Sequence, residues 1–308
     1  MPKNFKTLCH EIERRWKRSA ELAKIPEEGY QPEVKIVSDP SGALHFTFGV
    51  ILNSYRYQKP VNVTGNCPLC EVVEEVRETP ERNLDLKSEL PDYIIIPNKF
   101  PIVRGVSMAV HTGIEKNEQP MFSTSALDGL EYELEKMFTF TTAKGFQAYH
   151  NSDGLGASIT RHEHWHLTNY GEVYILAGDK YGFDVLDYES SKSTKVQLMP
   201  DFPFAHLIFN QNDPERIVSF LRKIGEEIGD RYENGTVPHA ICQSINGESI
   251  FIVPARNYSK RGIGSGETAG HIVVKTKEDF EKADYSFCLN ILNERLFRKS
   301  EINLEKFL

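Results

Sequence analysis

The stretch Asn151–Tyr170, NSDGLGASITRHEHWHLTNY, decides how the rest of the chain is read. His162, His164 and His166 alternate with Glu163, Trp165 and Leu167. A period of two is that of an extended strand, so the three imidazoles share one face, and Glu163 and Trp165 point to the other, where Trp165 packs. The run Gly154 to Ser158 just upstream is small and supple. Such a loop can turn backbone N–H groups toward phosphate oxygens, and an imidazole beside it can attack phosphorus or donate to it. The alternation alone leaves two other readings open: a metal held by all three rings, or a polar face on an edge strand.

Upstream of this segment, Phe146–Tyr149 reads as a strand leading into it, and Ser125–Phe138 as a helix with Leu127, Leu130, Leu134 and Met137 inward. Tyr93–Ile96 and Val106–His111 are apolar strands separated by the rigid turn Pro97–Pro101. Two strands, Val34–Ser38 and Leu44–Leu52, flank the turn Asp39-Pro-Ser-Gly42. Phe5–Ala23 has the spacing of an amphipathic packing helix, and Glu71–Asn83 is charged, part helix and part loop. Downstream, Val173–Leu176 and Phe204–Phe209 are strands. Asp213-Pro214 opens a helix with Ile217, Phe220, Leu221 and Ile224 inward, because Asp caps and Pro suits the first helical position. His239–Gln243 and Ser249–Val253 pair across Asn246-Gly247. A polar, Gly-rich loop from Arg256 to Gly270 follows, then a last strand at His271–Val274 and two short helices. Each half thus places a long helix between antiparallel strands, with a boundary in the region Tyr188–Asp201.

The 308 residues carry a net charge of −8 and five cysteines. That balance argues against a general nucleic-acid or membrane-surface binder. The N-terminus lacks the apolar run of a signal peptide, and no stretch is long and apolar enough to span a bilayer, so a cytoplasmic location is expected. Scattered cysteines do not read as a disulfide framework, with one exception, Cys67-Pro-Leu-Cys70. Two thiolates at that spacing suit zinc, and histidines have to complete the set: His111 and His162 are the candidates. The alternative is a pair of plain loop thiols. His164 is the candidate nucleophile, provided a backbone carbonyl or carboxylate fixes its far ring nitrogen. Asn151, Gly156 and Ser158 can cradle a phosphate. Lys99, Arg104, Arg256, Lys260 and Arg261 are candidate cations for a second one, although each also fits a solvated surface position.

The order N-x-x-x-x-G-A-S-x-x-x-H-x-H-x-H over Asn151–His166 resembles the active-site segment of the histidine-triad superfamily. More narrowly, it is similar to the branch that holds galactose-1-phosphate uridylyltransferases, diadenosine tetraphosphate phosphorylases and GDP-hexose phosphorylases. Asn98-Lys-Phe-Pro101 matches the N-K-[FY]-P turn of that branch, and Asn66-Cys67-Pro-Leu-Cys70 its zinc pair. Asn246–Pro254, NGESIFIVP, is similar to its second, degenerate half. The resemblance implies an α+β fold of two histidine-triad-like halves, residues 1–190 with the catalytic and zinc sites and residues 191–308 degenerate. Together they form one antiparallel sheet platform with helices packed on it.

It also implies a nucleotidyltransferase or phosphorylase acting on a nucleoside diphosphate sugar or dinucleoside polyphosphate through a nucleotidyl-His164 intermediate. A phosphate or sugar phosphate would be the acceptor. Asn151, Gly156, Ser158 and Lys99 would contact substrate, and structural zinc would sit on Cys67, Cys70, His111 and His162. The chain would act as a monomer or homodimer without nucleic-acid or membrane partners. His166 departs from the pattern. Transferases of the branch carry Gln there, and His is the hydrolase pattern, so hydrolysis of dinucleotides or nucleoside phosphoramidates stays open, as does an inactive nucleotide-binding protein.

Overall fold

The computed structural model describes residues 14–18, 21, 25, 32–41, 47–58, 67–80, 83–84, 90–102, 105–112, 127, 129–152, 155, 162–168, 186–188, 196–199, 202–209, 213–228, 239–243, 250–254 and 263–307. Its strands are β1 (Glu33–Ser38), β2 (Thr47–Leu52), β3 (Tyr93–Pro97), β4 (Ser107–His111), β5 (Gln147–Asn151), β6 (His164–Thr168), β7 (Leu186–Tyr188), β8 (Val196–Leu198), β9 (Leu207–Phe209), β10 (His239–Gln243), β11 (Ile250–Pro254) and β12 (His271–Val274). Its α-helices are α1 (Pro68–Glu78), α2 (Leu130–Lys144), α3 (Pro214–Ile228), α4 (Ser265–Thr268), α5 (Lys277–Lys282) and α6 (Tyr285–Asn293).

Nine strands form one sheet in the order β3-β4-β6-β5-β10-β11-β9-β8-β7. Every pairing in it is antiparallel. The four strands β3, β4, β5 and β6, with α2 between the second and third, take the order β3-β4-β6-β5. The strands β8, β9, β10 and β11, with α3 between the second and third, take the order β8-β9-β11-β10. The two sets meet where β5 pairs with β10, Ala240 opposite Asn151. β11, the counterpart of β6 in this order, reads IFIVP and carries no histidine.

Strand alternation divides the core between the two faces of the sheet. On one face Ala109, Ala148, Trp165, Leu167, Leu207 and Ile241 meet Leu134, Met137 and Phe138 of α2 and Ile217, Phe220, Leu221 and Ile224 of α3. The α3 residues recur at helical spacing, and the Asp213 carboxylate accepts the Arg216 N–H at 3.1 Å as the N-cap. On the other face Tyr149, Ala240 and Cys242 pack against Phe48, Val50, Ile272, Cys288 and Leu292. These come from the second sheet, β1-β2-β12, and from the C-terminal helices. At the β3 edge of that same face, α1 seals Ile94, Ile96 and Val110 with Leu69, Val73 and Val76.

Two expectations shift. The helix expected over 125–138 spans Leu130–Lys144 instead, because Gly145, at φ 70°, is the left-handed residue that ends it. β12 does not extend the large sheet; it pairs parallel with β2 in the small one. The charged run after Cys70 is helical through Glu78 and leaves the helix at Thr79, part helix and part loop as expected. Of the expected N-terminal helix, residues 14–18 are described and helical, with Trp16 buried and its Nε1–H given to the Val106 carbonyl at 3.3 Å. The strand expected at Val173–Leu176 and the turn at Asn246-Gly247 lie outside the described residues. Among the described residues no helix is long and apolar enough to cross a membrane.

Candidate active site and metal centre

β6 is an inner strand, bonded to β4 on one side and β5 on the other. Its position fixes the face of every side chain it carries. Trp165 is fully buried on the helix side, its ring 4.7 Å from His150 and 6.2 Å from Phe138. Glu163 is buried on that side too, with Oε1 3.0 Å from His150 Nε2. Burial alone would raise the Glu163 carboxyl. The charge of His150 and its hydrogen bond outweigh that, and the carboxyl is held below the usual range.

The histidines look the other way. His164 is buried, and its Nδ1 lies 2.9 Å from the His162 carbonyl oxygen. A carbonyl only accepts, so Nδ1 carries the proton and the lone pair sits on Nε2. This is the tautomer an attacking imidazole needs. His166, half-buried, stands edge-on to His164 with ring centroids 5.3 Å apart. Its Nδ1 is 3.3 Å from the Asn98 side-chain amide nitrogen.

His166 opens onto a cleft of about 410 Å³, mouth included, between the sheet and the segment that carries α4. Tyr149, Asn151 and Thr168 line it from the sheet, Ile102 and Val106 from the turn after β3, and Ser265, Gly266 and Glu267 from α4. Arg56 is the Arg or Lys that lines it among the described residues. Its Nη1 donates to the Phe100 carbonyl at 2.7 Å. Arg56 is not among the cations singled out from the sequence, since no local pattern separates it from other surface cations.

The structure places the remaining candidates as follows. Asn151 is at the cleft, but its Oδ1 accepts the Ser265 N–H, so this oxygen ties β5 to α4. Lys99 is exposed, with Nζ 5.8 Å from the Phe100 ring centroid, and does not line the cleft. Its neighbour Asn98 is the residue of that turn that reaches the histidines. Gly156, Ser158, Arg104, Arg256, Lys260 and Arg261 lie outside the described residues.

The thiols meet the first histidine. Cys67 and Cys70, at the start of α1, place Sγ 3.4 and 3.3 Å from His162 Nδ1. Nε2 of the same ring lies 2.7 Å from the His111 carbonyl oxygen. Nε2 therefore carries the proton, and the Nδ1 lone pair faces the two sulfurs. Two thiols and an imidazole nitrogen within 4.8 Å of one another are the cluster of metal-ligand type among the described residues, and they suit zinc. Burial pushes the Cys67 thiol up, but hydrogen bonding to His162 and to Cys70 brings it to about 7. Cys70 is pushed up to about 12, by burial and by the neighbouring Cys67. Burial works against protonation of His162, but its bonds to Cys67 and the His111 carbonyl raise its pKa.

His111, implied as a fourth ligand, gives this centre its carbonyl and not its ring. Val110 faces α1, so alternation turns His111 to the side of Ala109, and its ring meets Tyr93 edge-on at 5.2 Å.

No family model matches the chain, and no curated protein sequence does. Solved structures do match. Yeast Ap4A phosphorylase Apa2 in complex with Ap4A aligns at a TM-score of 0.66 and 16% identity, over 97% of this chain and 99% of that one. The same protein without the Ap4A complex aligns at 0.61 and 15% identity, over 94% of both chains. Its complex with AMP aligns at 0.59 and 16%, over 93% and 91%. The chain has the fold of this phosphorylase, an α+β antiparallel platform with helices packed on it.

Proposed function

We propose that the protein is a nucleotidyltransferase or phosphorylase that works through His164 on a nucleoside diphosphate sugar or a dinucleoside polyphosphate. The observation that carries the reading is the His164 ring: Nδ1–H bonded to the His162 carbonyl, the lone pair on Nε2, and the neighbouring His166 on the cleft. The shared fold supports it, since the Apa2 structures hold Ap4A and AMP.

In the first step the Nε2 lone pair attacks the α-phosphorus. An N–P bond forms, the P–O bond to the leaving sugar phosphate or nucleoside polyphosphate breaks, and that oxygen keeps the electron pair. In the second step an oxygen of inorganic phosphate or a sugar phosphate attacks the same phosphorus. The N–P pair returns to His164, which regains its starting tautomer. His166 and Arg56 stabilise charge on the non-bridging and leaving oxygens. Asn151, through its amide N–H, and the Gly156–Ser158 loop are assigned to the bound phosphate.

Zinc is assigned to Cys67, Cys70 and His162 as a structural ion. It would tie α1 to the start of β6 and hold both sulfurs as thiolates. The catalytic half is taken as residues 1–190 and the degenerate half as 191–308. The protein is taken to be cytoplasmic and to act as a monomer or homodimer.

Incubation with Ap4A or nucleoside diphosphate sugars labelled in the α-phosphate tests the reading. Label is expected on His164 as an acid-labile, base-stable phosphoramidate, lost in His164→Ala. Neither adduct nor turnover across a broad nucleotide panel would falsify it.

A further inference from the structure

We propose that Asn98 is a positioning residue that locks His166 as a hydrogen-bond donor, so that the nucleotidyl group passes to a phosphate oxygen and not to water. The inference rests on the nucleotidyl-transfer reading of His164.

Asn98 is 6% exposed and sits in the turn after β3. Its orientation is fixed from within. Oδ1 accepts the Phe100 N–H at 2.9 Å, which leaves the amide nitrogen, not the oxygen, 3.3 Å from His166 Nδ1. An amide nitrogen has only protons to offer. His166 Nδ1 must therefore accept, and the proton of the neutral ring belongs on Nε2.

The turn is anchored on three sides. The Asn98 N–H donates to the Val106 carbonyl at 2.9 Å, Arg56 donates to the Phe100 carbonyl at 2.7 Å, and the Asn53 amide donates to the Pro101 carbonyl at 2.9 Å. These bonds fix the backbone of the turn, and the Phe100 N–H holds the Asn98 amide within it, so the tautomer of His166 is built into the fold.

The chemical consequence concerns the second step. An attacking phosphate oxygen is already ionised and needs no base. It forms the O–P bond with its own lone pair while the N–P pair returns to His164. Water must lose a proton as it attacks, and a general base needs a lone pair within reach of that proton. With Nε2 protonated, His166 offers a donor there instead. It steadies anionic oxygens and is no base for water. The histidine that resembles the hydrolase pattern is thereby set to the task of a transferase.

Asn98→Asp tests both parts. Aspartate keeps an acceptor for the Phe100 N–H and replaces the donor facing His166 with an acceptor. The first readout is ¹⁵N NMR of the full chain labelled at histidine, with the His166 signals assigned by loss in His166→Gln. It requires no nucleotide. The wild type should show Nε2 protonated and Nδ1 unprotonated, and in N98D the Nδ1 should gain a proton. Identical His166 signals in the two proteins would overturn the proposal.

The second readout is the partition of Ap4A between phosphorolysis and hydrolysis in inorganic phosphate. N98D should raise the hydrolysed share about tenfold or more, within the range of one general base. KM should stay within about threefold, as expected when ground-state binding is unaltered. An unchanged partition overturns the transfer half. If N98D does not fold, Asn98→Ser replaces it. Serine can still cap the turn but is too short to reach His166, and mixed tautomers are expected. A wild type that turns over no nucleotide refutes the proposed function and the transfer half together, while the NMR result still decides the Asn98–His166 contact.

Discussion

His162 and His164 are two residues apart on one face and use their rings in opposite senses. His162 donates from Nε2 and turns its Nδ1 lone pair to the thiols, whereas His164 donates from Nδ1 and keeps its lone pair on Nε2. A backbone carbonyl sets each choice, so the assignment survives any side-chain substitution that leaves β4 and β6 in register. The prediction at this scale separates the two roles by metal content. Cys67→Ser should lose bound zinc, measured by mass spectrometry of the purified protein, because a hydroxyl is a far weaker zinc ligand than a thiolate. His164→Ala should keep its zinc. Loss of metal in His164→Ala with retention in Cys67→Ser would mean that the histidine trio itself is the metal site. The shared face of the trio was legible in the sequence because alternation fixes a face with no other information. Asn98 was read only as part of the Asn98–Pro101 motif, with no role toward His166, since nothing local distinguishes a turn asparagine that caps its own loop from one that also orients a distant ring. His111 was misplaced for a related reason: the end of a strand is where a one-residue change of face reverses what a side chain reaches.

At the scale of the element, α2 shows how a terminator outweighs propensity. Phe138–Thr142 is FTFTT, aromatic and β-branched residues that argue against helix, and the expected helix stopped there. Burial decides otherwise. Phe138, Phe140 and Thr141 all lie in the interior, and the Thr141 hydroxyl, bonded back to the Met137 carbonyl at 2.8 Å, also reaches Gln243 of β10 at 2.6 Å. The helix runs on until Gly145. Gly145→Ala forces a side chain into the left-handed region, at a cost of about 1–2 kcal/mol. Urea unfolding should show a lower midpoint with an unchanged slope, and an unchanged midpoint would place the end of α2 elsewhere. The small sheet was out of reach of any local pattern. β12 looks like any buried strand, and only its pairing with β2, from the far end of the chain, says which sheet it joins. The segment from Ile263 was legible only as a polar Gly-rich loop, yet its Ser265–Glu267 wall the cleft, and a Cβ on Gly266 would fall 2.3 Å from Ile102 Cδ1. Close approach of backbone to side chain is a reason for glycine that composition cannot separate from a flexible turn.

For the whole molecule, the buried titratable groups on both faces of the sheet make the response to acid a test of the fold. His206 is fully buried. It donates from Nδ1 to the Phe204 carbonyl and accepts the Met199 N–H on Nε2, so a second proton has no place, and burial takes its pKa down to about 3. Burial takes His271 down to about 4. Below their ordinary pKa near 6.5 the unfolded chain binds these protons and the native state does not, so stability falls as pH falls, by roughly 2 kcal/mol for each histidine at pH 5. Glu133 works in the other sense. Burial, and then the nearby Glu163, push its carboxyl up to about 7. Between pH 7 and its ordinary value of 4.5 the native state binds a proton that the unfolded chain does not, which returns roughly 3 kcal/mol over that interval. From pH 7 to pH 5 the two histidines together cost roughly 4 kcal/mol, and Glu133 returns roughly half of it. Below about 4.5 Glu133 has nothing further to give, His206 and His271 continue to cost, and Glu163, whose carboxyl is held low by His150, begins to lose its pair. The melting temperature should fall gently from pH 7 to pH 5 and steeply below about 4.5. Glu133→Gln removes the partial compensation, so its melting temperature should fall about twice as steeply as that of the wild type between pH 6.5 and pH 5. Parallel curves for wild type and variant across that interval would show that Glu133 is charged in the native protein and not enclosed against the sheet as the fold places it.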